Sequence, residues 1–272
     1  MNEKYIKNDC AKEIIDRTKV VLLDLDGTVY LGDKLIGNVT QTLAHLRAAG
    51  KKLVYLTNNS SRSDAEYEKK LVGRGIFDKA DDVYSSGRAT IEYLNANHVG
   101  KKIFLVATDA VRKDFEDSGV ILTDEFSAEI AVLAYDVTLD FKKIRAFDVA
   151  LKRGAYYVAT HPDLVCPMEG FSMPDVGSFI QMFKTSSGRT PDVIIGKPYD
   201  GMGKAVVSRY NVSPDEVLMV GDRLSTDMAF AVNSDFNSLL VLSGETDGEM
   251  YFKSGMNLSL VFNDVNDLEK YL

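Results

Sequence analysis

A chain of 272 residues is long for one compact core and comfortable for two, and its composition (45% hydrophobic, 26% charged, six prolines) is that of an ordinary globular protein. The net charge of −8, from 32 basic and 40 acidic residues, argues against nucleic acid or an anionic membrane as the main partner, but not against an anionic substrate. Cys10 and Cys166 stand in no zinc or disulfide spacing, no apolar run approaches the ~20 residues that span a bilayer, and the polar N-terminus lacks a signal-peptide core, so a reducing, cytoplasmic setting is expected.

Residues 1–18 read as a short helical or irregular lead-in. Residues 20–30, VVLLDLDGTVY, begin with an uninterrupted apolar, β-prone run that suits a strand covered on both faces, and the run stops at Asp24 and Asp26. Asn38 is placed to cap a helix that Gly50 ends. KLVYLT at 52–57 is the next strand, closing on Thr57, Asn58, Asn59 and Ser60. Ser63 and Glu66 form a capping box for a helix that ends near Gly73 or Gly75. This alternation predicts a parallel sheet with right-handed crossovers.

From Ser86 the pattern changes. Residues 86–97 are helical, 103–107 a strand, 110–117 a short helix, and 120–122 and 130–135 strands. Asp140 caps a helix to Arg153. YYVAT at 156–160 is a strand, HPDLVCPMEG at 161–170 a loop, and 177–187 a helix. This block has its own alternation, enough for an independent core. The first rhythm then resumes with strands at 193–196, 217–220, 239–242 and 258–262 and helices at 201–210, 226–233 and the C-terminus. The expected fold class is α/β, a doubly wound parallel-sheet core with an inserted α/β domain: core over 1–83, insertion over 84–186, core over 187–272.

Four strand ends carry polar groups: Asp24 and Asp26; Thr57, Asn58 and Asn59; Lys197; and Asp222 with Asp227. In an open parallel sheet all carboxyl ends share one edge, where ligands bind. Several carboxylates there call for a hard cation with oxygen ligands, and Mg²⁺ fits best. A lysine and a threonine hydroxyl beside it suit a phosphate. One acid is then free to be a nucleophile, and a second to act as general acid and base. Each group alone has an ordinary reading as a turn, cap or surface residue. Their recurrence at four strand ends is what counts.

DLDGT (24–28), TNNS (57–60), GKP (196–198) and GDRLSTD (221–227) resemble, in order, the four motifs of the haloacid dehalogenase (HAD) superfamily. The insertion after the second motif is similar to that of its class IIA group, the NagD-like and p-nitrophenylphosphatase-like enzymes. The resemblance implies a HAD-type, Rossmann-like core with a cap domain. It implies a Mg²⁺-dependent phosphatase acting on small phosphomonoesters through an aspartyl phosphate. Asp24 would be nucleophile and metal ligand, and Asp26 general acid/base with its backbone carbonyl on the metal. Thr57 and Lys197 would hold phosphoryl oxygens, with Asn58 and Asn59 lining the phosphate side. Asp222 would bind the metal, and Asp227 would bind or support it. A homodimer through the cap is a further implication.

Two cap segments depart from the pattern. His161 stands where asparagine is expected, and residues 174–178 (PDVGS) are bulkier and more acidic than the usual segment. His161 is either a substrate contact or a satisfied loop histidine. Two other readings stay open: a receiver-like signalling module, which shares clustered acids, a Thr and a Lys but needs no cap, and a retired enzyme that binds a phosphate ligand. Turnover separates both from a phosphatase.

Overall fold

The structure is a computed structural model describing residues 3–168 and 171–272. The chain forms two compact units: Met1–Leu56, Glu68–Tyr84 and Lys197–Leu272 make the first, Thr57–Tyr67 and Ser85–Gly196 the second.

The first unit is built on a six-stranded sheet, in spatial order Leu260–Phe262, Asn237–Val241, Val217–Gly221, Val20–Leu23, Lys52–Thr57 and Asp82–Ser85. Val20–Leu23 lies inside it and runs parallel to both neighbours, with Leu23 opposite Val220 on one side and Tyr55 on the other. All four of its residues are buried, as an unbroken apolar run requires. From this strand the chain builds outward on one side first and on the other after residue 197. Its carboxyl end is therefore a topological switch point, where the crossovers diverge and leave a crevice. The Ser63 capping box is present: Glu66 N donates to Ser63 Oγ, and Ser63 N to Glu66 Oε2.

Some local expectations fail for identifiable reasons. Asn38 precedes the helix Val39–Ala48 but makes no side-chain cap. Residues 226–233 are not one α-helix; a π-helical turn, Leu224–Met228, leads into a short α-helix, Ala229–Asn233. Such turns are frequent at functional sites, and Asp227 lies in this one. A small hairpin of Tyr30–Leu31 and Lys34–Leu35 follows the first acids. Strands of two residues leave no periodicity to read.

The second unit has a five-stranded sheet in the order Val193–Ile194, Tyr156–Ala159, Ile130–Leu133, Lys102–Val106 and Ile121–Leu122, every pair parallel. Phe147, Tyr157 and Phe183 anchor its core, with the Phe147 and Phe183 ring centroids 4.6 Å apart. Asp140 caps the helix Phe141–Lys152 by accepting from Lys143 N. The strand at 193–194 was expected in the first sheet, but it pairs with Tyr156–Ala159. Asp192 fixes that choice, since its carboxylate accepts from Tyr157 N and its own N donates to Tyr157 O. The division therefore falls at 196/197 rather than 186/187, and the short segment 57–67 joins the second unit. The expected loop at 161–170 contains a strand, Val165–Met168, paired antiparallel with Phe171–Pro174; residues 169 and 170 lie outside the described residues. Among the described residues no helix is long and apolar enough to cross a membrane.

Candidate active site

Asp24 is the first residue beyond the central strand, and its N–H still donates to Val220 O at 3.0 Å, which holds its backbone in the sheet. The chain then turns. Leu25 O accepts from Val29 N, and Gly27 N donates to Tyr30 O at 2.7 Å. Gly27 has φ +84°, and a Cβ there would collide with the Asp222 carboxylate. Glycine is thus required twice, by conformation and by close approach. A Cβ on Gly244 would collide with the same carboxylate, and Gly221 leaves room for Asp227.

Lys197 is the hub of the cluster. Its ammonium lies 2.6 Å from Asp24 Oδ1 and 2.6 Å from Asp227 Oδ1, with its side chain only 3% exposed. Asp227 Oδ2 accepts from Arg223 N at 3.2 Å. Asp222 Oδ2 accepts from Glu245 N at 2.7 Å, while its Oδ1 is buried with no hydrogen-bond partner. Arg223 Nε pairs with Glu245 Oε2 at 3.1 Å.

The electrostatics follow from this crowding. Burial, then the Asp227 charge, push the Asp24 carboxyl up to about 8 from an ordinary 3.8, and Lys197 only partly offsets them. Burial and Asp227 likewise raise Asp222 to about 6. Burial disfavours the Lys197 charge, but Asp227 and Asp24 outweigh it and hold the amine above its usual range. Asp26 is exposed. Partial desolvation still raises its pKa, against the lowering effects of Lys70, the Gly32 backbone N–H, Arg74 and Arg223.

Carboxylate oxygens of Asp24, Asp222 and Asp227 all lie within 4.8 Å of one another. An all-oxygen donor set suits a hard divalent cation. The partnerless buried Oδ1 of Asp222 is the atom such an ion would satisfy. Both oxygens of Asp227 already have donors, so Asp24 and Asp222 are the better placed to bind and Asp227 to hold Lys197 and the 223–227 turn. Because ligands must be ionised and these two acids retain protons to about 8 and about 6, protons compete with the metal as pH falls. Added Mg²⁺ at a hundred times its Kd is expected to stabilise the protein by about 2.7 kcal/mol at high pH. That gain should shrink below about pH 8 and be least below about 6, as followed by thermal unfolding with and without the ion.

Thr57 closes its strand at the carboxyl end of the sheet, and its Oγ1 accepts from Asn59 N at 3.1 Å. Asn58 Nδ2 donates to both oxygens of Asp163, at 3.2 and 3.1 Å. Asn59 turns back on its own loop, Oδ1 accepting from Ser61 N and Oγ. His161 is fully buried, with Nε2 2.9 Å from Asp175 Oδ1 and Nδ1 3.0 Å from Thr160 Oγ1. Both ring nitrogens are engaged, so a direct bond to a substrate would require giving up one of these partners. The two departures noted in the sequence are therefore one feature, a buried His–Asp pair. Replacing His161 by leucine removes a partner from the buried Asp175 carboxylate and is expected to cost about 2 kcal/mol. Urea unfolding of the variant and the parent measures this, and an unchanged midpoint would show the pair to be idle.

Sequence reasoning passed over Arg223, inside the fourth motif, and Lys70 and Arg74, which lie far from any motif. Only the fold brings their charges to bear on Asp26.

Residues 21–121 match the haloacid dehalogenase-like hydrolase family, and 194–268 a HAD-hydrolase-like family. The 4-nitrophenylphosphatase of Thermotoga maritima superposes with a TM-score of 0.90 at 35% identity, over 94% of this chain and 98% of that one. The chain belongs to the haloacid dehalogenase-like hydrolases. This hydrolase is also 28% identical to an acid sugar phosphatase of Staphylococcus saprophyticus, over 93% of its own length and 98% of the relative's. A glycerol phosphate phosphatase of Mycobacterium tuberculosis, solved in complex with calcium, has a TM-score of 0.87 at 26% identity, covering 94% of the hydrolase and 76% of that chain.

Proposed function

We propose that this hydrolase is a Mg²⁺-dependent phosphatase of small phosphomonoesters. The carrying observation is the buried ammonium of Lys197 bridging Asp24 and Asp227 beside the partnerless oxygen of Asp222. A cation held by Asp24 and Asp222 supplies charge neutralisation for phosphate oxygens and for the crowded acids. Lys197 and Thr57 bind and orient the phosphoryl group, which is most of what phosphoryl transfer asks of a protein. An Asp24 oxygen attacks phosphorus while the ester P–O bond breaks, and Asp26 gives a proton to the departing alcohol oxygen. Asp26 then takes a proton from water, whose oxygen attacks phosphorus. The bond to Asp24 breaks, phosphate leaves, and both acids return to their starting states.

The similar proteins are named for 4-nitrophenyl phosphate, sugar phosphates and glycerol phosphate. A small phosphorylated metabolite is accordingly the substrate class in this reading. A homodimer through the second unit and a cytoplasmic setting belong to the same reading; the free Cys10 and Cys166 support a reducing compartment. The test is a phosphomonoester panel with and without Mg²⁺, compared by kcat/KM. Multiple turnover that depends on the metal supports the proposal. A single stoichiometric phosphorylation with slow decay would instead favour a receiver-like role.

A further inference from the structure

The acid assigned to proton transfer, Asp26, stands on an exposed turn, and an exposed turn does not by itself hold a carboxylate in place. The hairpin that follows is unusually well held. Tyr30 is 1% exposed. Its backbone braces the turn, with Tyr30 O accepting from Gly27 N at 2.7 Å and Tyr30 N donating to Leu25 O at 3.3 Å, and it forms a bridge with Asp26. Its side chain meets two cations. Lys70 Nζ donates to the phenol oxygen at 3.0 Å and stands 4.6 Å from the ring centroid. The Arg74 guanidinium carbon is 4.0 Å from the same centroid. Arg74 Nη2 also donates to Gly32 O at 2.8 Å and pairs with Asp33 Oδ1 at 3.0 Å. The Gly32 backbone N–H in turn acts to lower the Asp26 pKa.

The two cations come from one element. Lys70 lies in the last turn of the helix Asp64–Gly73, and Arg74 follows four residues later, just past its end, with Arg74 N donating to Lys70 O. That spacing puts both side chains on one face. Two routes therefore run from this helix to Asp26: Lys70 and Arg74 through the Tyr30 ring to the braced turn, and Arg74 through Gly32 to the carboxylate. Arg74 Nη1 is buried without a hydrogen-bond partner, as expected for a guanidinium held against an aromatic face rather than placed to satisfy every donor.

We propose that Lys70 and Arg74 are positioning residues for the reaction, clamping the Tyr30–Gly32 hairpin so that Asp26 is held where it must deliver its proton. This rests on the phosphatase reading above and on Asp26 as its acid. Neither cation is a catalytic residue, since each acts on the acid, through Tyr30 or Gly32 and by its charge, and not on the reacting atoms.

A loosened acid has a graded effect. A good leaving group such as p-nitrophenolate departs with little help, whereas the alkoxide of glycerol phosphate needs the proton. The experiment compares kcat and KM of the full-length protein with Mg²⁺ on both substrates, for the parent, Asp26→Asn, Arg74→Met, Lys70→Met and Lys70→Arg. Arg74→Met and Lys70→Met are expected to lower kcat/KM, which reports the leaving-group step and not the water step shared by both esters, on glycerol phosphate by about tenfold or more but on p-nitrophenyl phosphate by less than about threefold. Lys70→Arg is expected to restore most of the loss. Both cations are only partly buried, so these variants should fold, and Tyr30→Phe, which keeps the ring, gives a milder version of the same grading. Equal losses of kcat/KM on both substrates, or no change in it, would overturn the clamp. If the parent turns over neither ester, the phosphatase reading itself has failed and the clamp falls with it. If Asp26→Asn shows the grading and the cation variants do not, the reading stands and the clamp alone is wrong.

Discussion

Asp24→Asn is expected to lower kcat on p-nitrophenyl phosphate by at least about 10⁴-fold, the scale on which removal of a nucleophile acts. The same substitution is expected to raise the melting temperature of the metal-free protein at neutral pH. In the folded chain the Asp24 carboxyl titrates at about 8, against an ordinary 3.8. Between those values the native state keeps a proton that the unfolded chain has released, so stability falls as pH rises through the window. Asparagine has no such proton, and its Oδ1 still accepts from Lys197. The variant's advantage should be absent below about pH 4, grow with pH, and be complete above about 8. Thermal unfolding across that range, beside the kinetics, measures both halves. Retained turnover would remove Asp24 from the chemistry. A lower melting temperature would mean that the charged pair with Lys197 outweighs the crowding of the acids.

Lys197→Met should do the opposite to stability while also removing activity. The ammonium is the counter-charge within hydrogen-bond distance of both Asp24 and Asp227. Without it two carboxylates share a largely buried site with no cation between them. Breaking a buried pair in this way costs about 3–5 kcal/mol. The deficit should be greatest near pH 8 and smaller near pH 5, because Asp24, pushed up to about 8 by burial and the Asp227 charge, then takes up a proton and needs the cation less. Loss of a donor to the phosphoryl group should lower kcat by about 10²–10³-fold. Denaturant unfolding at the two pH values checks the first claim. A deficit that grew as the pH fell would contradict this account of the cluster.

The acids and the strands beneath them were legible because each strand is an apolar run that stops at a polar residue, and parallel strands must stop on one edge; Lys197 was named by the same argument, but the strand before it lies in the other sheet, so the fold brings it to the acids by a different route. What the residues could not tell is which sheet a strand joins. Residues 193–194 have the right composition for either, and Asp192, by engaging Tyr157, decides between them. Nor could spacing show that Asp227 would spend both oxygens on Lys197 and Arg223, or that a π-helical turn would present it. The roles of Lys70 and Arg74 were out of reach for a related reason. They bear on Asp26 by charge and through contacts with a hairpin too short to leave a pattern. His161 was singled out as unusual, but its partner fourteen residues later was noted separately, and only the folded loop joins them.

That joined pair has an evolutionary consequence. A chain acquiring the buried aspartate first would carry a carboxylate with one partner too few; one acquiring the histidine first would bury an imidazole with an unanswered nitrogen. Either intermediate is less stable than its ancestor or its descendant, so the two positions should change together across relatives or not at all. Lineages with histidine at 161 should therefore hold an acid at 175, and transplanting either residue alone into a relative that lacks both should weaken it, while transplanting both should not.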